Sequence, residues 1–78
     1  MWKEIKITYN GFYDAIAPLM AIDPTCRWVE CVDKKLVFLG KKFQISYLRK
    51  EEGAGCRIFF SPELEITLNR AVPARHRL

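Results

Sequence analysis

Histidine is almost missing from this chain. Among 78 residues only His76 carries an imidazole, and it stands in a terminal stretch without periodicity. No nucleophile, base and orienting group can be assembled around it. Asp14 and Asp23 belong to no recognisable acid–base pair, and Glu63 and Glu65 are related only by alternate spacing. The chain is therefore expected not to be an enzyme and to need no cofactor. Cysteine is scarce and odd in number, at positions 26, 31 and 56, which is not a disulfide framework and points to a reducing, cytoplasmic setting. Cys26 and Cys31 lie five apart, so on an extended strand they face opposite ways about 16 Å from each other. A zinc site joining them to Cys56 and His76 is not expected. Long apolar runs are lacking too. The most weakly charged stretch, Phe12 to Ile22, contains Asp14 and Pro18 and is too short to span a bilayer, so no membrane partner is expected. The opening MWKEIKITYN has no apolar core after its basic residues and does not read as a signal peptide. No block of like charge, repeat or low-complexity tract is present.

What the chain does have is apolar and aromatic surface. Half of it is hydrophobic, with two Trp, three Tyr and five Phe, which is rich for a domain of this size. Either the core is unusually aromatic, or some apolar surface is kept for a partner or a second copy of the chain. Thirteen Lys and Arg against nine Asp and Glu leave a net charge of +4, spread along the sequence. That balance permits contact with phosphates or with an acidic protein face and selects neither.

The pattern predicts one domain over residues 1–78, with 71–78 as a tail that is mobile or draped over the surface. Trp2 to Tyr9 alternates as a half-buried strand, and Phe12, Ile16, Leu19 and Met20 recur at helical spacing, giving one short helix near residues 12–22. Pro18 removes a hydrogen bond in the middle of that helix, so a helix kinked or broken there is expected as readily as a straight one. Strand-like runs follow at 27–32 and 36–39, joined by a hairpin at Asp33-Lys34-Lys35, and then at 41–48, 56–60 and 64–70. The fold class is mostly β (α+β), with about six short antiparallel strands in a meander or small barrel. Gly53-Ala54-Gly55 invites a phosphate-loop reading, but CRIFF and Pro62 come after it where a helix N-terminus is required, so it is read as a hairpin bend. Parity then puts Phe43, Ile45 and Tyr47 on one face with Cys56, Ile58 and Phe60.

The opposite face of this meander is the candidate binding surface. Leu48, Lys50, Arg57, Phe59 and Asn69 fall on it, with Arg70 beside them. Cations beside an exposed aromatic would suit a nucleic acid, which needs charge for phosphate and a ring for stacking. Trp2 and Trp28 are potential interface anchors. From Leu36 to Arg70, "LVFLGKKFQISYL", "CRIFFSP" and "EITLNR" resemble the strands of the carbon storage regulator family of small RNA-binding dimers. The resemblance implies an RNA contact at Arg70; Asn69 stands where that family usually has His. The chain departs from the family in the segment before Arg27 and in lacking its Thr-Arg-Arg near Glu30-Cys31. The expected function is a non-enzymatic protein-binding module, such as an inhibitor or adaptor, with the general look of small inhibitors encoded by phages and other mobile elements. The alternative is an RNA- or DNA-binding regulator. The partner is macromolecular in both readings, protein ahead of nucleic acid, with a homodimer as a further option.

Overall fold

The computed structural model describes residues 1–30 and 36–78; the hairpin read at Asp33-Lys34-Lys35, and Cys31, lie outside the described residues. Five strands form one antiparallel sheet: β1 (Lys3–Ile7), β2 (Arg27–Glu30), β3 (Leu36–Leu39), β4 (Phe43–Tyr47) and β5 (Cys56–Phe60). Their spatial order is β1-β5-β4-β3-β2, so β5 turns back to pair with β1 while β1 and β2 form the two edges. The sheet is open and does not close into a barrel. Two helices, α1 (Tyr9–Ile22) and α2 (Glu65–Ala71), cover one face, which makes the fold α+β.

Register explains which face is dry. Ile5, Ile58 and Ile45 lie side by side across β1, β5 and β4, and Phe38 and Trp28 continue the row on β3 and β2. Paired residues of an antiparallel sheet share a face, and Phe38, Phe43, Ile45, Cys56, Ile58 and Phe60 are all buried against the helices. The alternation in FQISY and CRIFF thus lies as its period requires.

Helix α1 starts one residue after β1. Thr8 is its N-cap: the hydroxyl accepts from the Gly11 amide at 3.0 Å, satisfying one of the donors a helix start leaves open. Asn10-Gly11, which reads as a break after the first strand, therefore lies in the first helical turn. Gly11 is needed for space, since a Cβ there would come within 2.9 Å of the Cβ of His76. The helix continues through Pro18, which sits at a half-buried position and leaves the Asp14 carbonyl without its usual donor.

The expected sixth strand is a helix. Leu64, Leu68 and Val72 recur every four residues and are all buried, whereas Ile66, which alternation would place beside Leu64 and Leu68, is 67 % exposed. Before them, Ser61 precedes a 3-10 turn (Pro62–Leu64) with proline at its start. Ser-Pro-Glu is a helix-opening signal, and it competes here with a period-two pattern only a few residues long. Of residues 71–78, read from sequence as a mobile or draped tail, the last three lie along the outer side of β1. The Thr8 amide donates to the His76 carbonyl at 2.8 Å, the Leu78 amide donates to the Lys6 carbonyl at 3.0 Å, and Ile7 bridges Arg77. Backbone bonding to an edge strand leaves no side-chain period to read. Among the described residues, no helix is long and apolar enough to cross a membrane.

Candidate functional site

The face of the sheet turned away from the helices is built from two rows. Glu4, Phe59, Gln44, Leu39 and Arg27 form one; Lys6, Arg57 and Ser46 lie in the other. Phe59, Gln44, Leu39, Ser46 and Arg57 are each only partly exposed, and Phe59 lies on β5, one strand in from the β1 edge. The Arg57 guanidinium lies 5.7 Å from the centre of the Phe59 ring, a cation–π approach that holds both side chains down on the sheet.

The charges that β1 and β5 place on this face are compensated there, while Arg27 stands exposed at its opposite edge. Arg57 Nε lies 2.8 Å from Glu4 Oε1, an ion pair without hydrogen-bond alignment, so this nitrogen has no hydrogen-bond acceptor. The same guanidinium donates through Nη2 to Glu52, and Lys6 Nζ lies 3.3 Å from the same carboxylate. Burial pushes the Glu52 carboxyl up, but the Lys6 contact and the charges of Arg57 and Lys6 outweigh it and hold the group below the ordinary carboxylate value. Glu52 reaches this position because β4 ends in a 3-10 turn (Lys50–Glu52) before Gly53 and Gly55 return the chain. The two glycines have positive φ and serve the turn; no helix comes after them before β5.

Of the six candidate residues, Arg57 and Phe59 share this face. Lys50 is exposed on the turn at its rim. Leu48 does not face out: it is 7 % exposed, its amide donating to the Gly55 carbonyl. The chain leaves β4 at Tyr47, so strand parity no longer governs Leu48. Asn69 and Arg70 ride on α2, on the other side of the sheet, because their segment is helical. Asn69 Oδ1 accepts from Arg77 Nη2 at 2.6 Å, which engages it in holding the terminal segment. The carbon storage regulator resemblance loses its last strand with the same change. Glu4, Lys6 and Glu52 join the site instead. Glu4 and Lys6 alternate with Ile5 and Ile7 and could be assigned to an outer face from the sequence; their meeting with Arg57 depends on the non-local pairing of β1 with β5.

Elsewhere, burial pushes the Cys56 thiol up to about 11. Burial, with a smaller effect from nearby Asp23, also raises the Cys26 thiol. Neither is poised as a thiolate nucleophile. Among the described residues, no group of three His, Cys, Asp or Glu is placed to hold a metal ion. Compared with known proteins, the chain matches no family model, no curated protein and no solved structure.

Proposed function

We propose that the chain is a non-enzymatic protein-binding module that engages its partner through the uncovered face of the sheet around Phe59. The observation that carries this reading is the compensation of Arg57 and Lys6 by Glu4 and Glu52 around the half-buried Phe59. A phosphate approaching Arg57 would meet two carboxylates, whereas a nucleic-acid surface needs cations free to displace counterions. A protein surface tolerates local ion pairs and gains from a central aromatic that becomes fully desolvated. Inhibition or adaptation by surface contact fits such a face; the identity of the partner is a matter for experiment.

The test compares wild type with Phe59→Ala as tagged baits in lysate of the native host. Wild type is expected to retain one protein in stoichiometric amount, and Phe59→Ala to lose it. The substitution should cost less than the ~3–5 kcal/mol of a buried Phe→Ala change, because Phe59 is only half-buried. Retention by both proteins, or an RNA or DNA complex that forms at low salt and dissolves as salt rises, would overturn the proposal.

A further inference from the structure

Helix α1 lacks the polar outer face that a surface helix ordinarily carries. Its sole charge in fourteen residues is Asp14, and that carboxylate is taken up by His76, Nε2 to Oδ2 3.0 Å. Tyr9, Tyr13, Ile16 and Met20 succeed one another at intervals of four, three and four, which aligns them in one stripe along the helix. Tyr9 is 47 % exposed, Tyr13 70 % and Met20 50 %. Small exposed residues, Ala17 and Ala21, lie beside the stripe and permit close approach. The apolar surface continues onto the sheet. Tyr9 meets Tyr47 edge-on at 6.2 Å, while Phe12 links Tyr13 at 5.3 Å to Trp28 at 5.6 Å.

We infer that this stripe is the interface of a two-fold homodimer, α1 packing against α1 of a second copy. Charge selects that occupant. In a two-fold contact a patch meets itself, so any net charge it carries meets the same net charge. Among the described residues this patch holds none, and the carboxylate of Asp14 at its border lies against His76. Two chains of net charge +4 therefore meet where repulsion is least. Area agrees. At the roughly 200 Å² that a large side chain offers, the exposed fractions of Tyr9, Tyr13, Met20, Trp28 and Tyr47 leave on the order of 500 Å² per copy. A symmetric pair then buries about 1,000 Å², the size at which a specific interface becomes sustainable. The surface lies on the opposite side of the sheet from Phe59, so the dimer leaves both copies of that face open.

Sedimentation equilibrium of the full chain at about 100 µM, a concentration that populates a dimer of micromolar Kd, is expected to give twice the 9.1 kDa chain mass. Tyr13→Asp should raise the dimer Kd by roughly 100-fold, because it buries an unpaired carboxylate in each half of a desolvated contact. Circular dichroism verifies that the variant is folded. Ala17→Glu, at another exposed helical position, repeats the test should Tyr13→Asp unfold. Mixing Tyr13→Asp with Tyr13→Lys should restore a mixed dimer. A monomeric wild type at this concentration, or folded charge variants that associate as wild type does, would overturn the inference. Retention of the native partner by monomeric Tyr13→Asp separates this surface from the one around Phe59.

Discussion

Two glycines of one turn make different demands on the chain. Gly53 has φ 120° with nothing within 4 Å of the place a Cβ would occupy, so a side chain there meets only backbone strain. Gly55 has φ 153°, and a Cβ there would run into the carbonyl oxygen of Ile7. That carbonyl belongs to β1, which pairs with β5 immediately after the turn, Ile7 opposite Cys56. Gly53→Ala is expected to cost about 1–3 kcal/mol, the range for a residue forced into a sparsely populated region. Gly55→Ala should cost more, since it also parts β1 from β5. Urea unfolding of both variants checks the order, and equal midpoints would show that the close approach at Ile7 is not tight. The Gly-Ala-Gly step is legible in sequence as a turn, because the β-branched and aromatic run from Cys56 to Phe60, closed by Pro62, cannot begin a helix. Which glycine is crowded is not legible, since the crowding atom lies almost fifty residues earlier.

At the scale of elements, Asp23 joins the end of α1 to the β3–β4 turn. Its amide closes the helix on the Leu19 carbonyl at 3.0 Å, and its carboxylate accepts from the Thr25 amide at 3.0 Å, the Thr25 hydroxyl at 2.5 Å and the Lys41 amide at 2.6 Å. The Thr25 hydroxyl bond and the Lys41 amide bond outweigh burial and lower the carboxyl below its ordinary 3.8. With the folded value below the unfolded one, the unfolded chain binds more protons in the interval between them. The stabilisation is therefore fully present above pH 3.8 and lost as pH falls through the lower, folded value. Glu63, held down by Ser61 and then Lys42, and Glu52 add the same sign below their ordinary 4.5. The difference between wild type and Asp23→Asn isolates the one group. Wild type should be the more stable at neutral pH, the gap should close below pH 3.8, and urea titrations at a series of pH values measure it. Asp23-Pro24 is readable from sequence as the stop of α1, while its bond to Lys41 is long-range and is not. The same divide explains α2. Its local opening signal, Ser61-Pro62-Glu63, is present, but Leu64, Ile66 and Leu68 satisfy a strand period as well, and only the burial of Leu64, Leu68 and Val72 with Ile66 exposed decides between them.

For the whole molecule, the arrangement of surfaces comes from covering one face of an open sheet. The helices cover the apolar side, the ion pairs of Glu4, Lys6, Glu52 and Arg57 dress the other, and an edge strand on each flank keeps backbone groups available for pairing. The terminal segment occupies part of the β1 edge. Besides the Thr8 and Lys6 backbone bonds, it brings His76 Nδ1 within 3.3 Å of the Thr8 hydroxyl and Nε2 within 3.0 Å of Asp14, so it also fastens the start of α1. Truncation after Pro73 removes these contacts and leaves Val72, which is fully buried, in place. Two backbone hydrogen bonds at about 1 kcal/mol each correspond to a fall in Tm on the order of 10 °C for a domain of this size. The Thr8 amide, deprived of the His76 carbonyl, should exchange with solvent much faster, while the Ile58 amide at the centre of the sheet changes only with global stability. Hydrogen exchange read at those two amides distinguishes a bonded terminal strand from a mobile tail. A mobile tail would leave the Thr8 rate and the melting temperature where they are in the full chain.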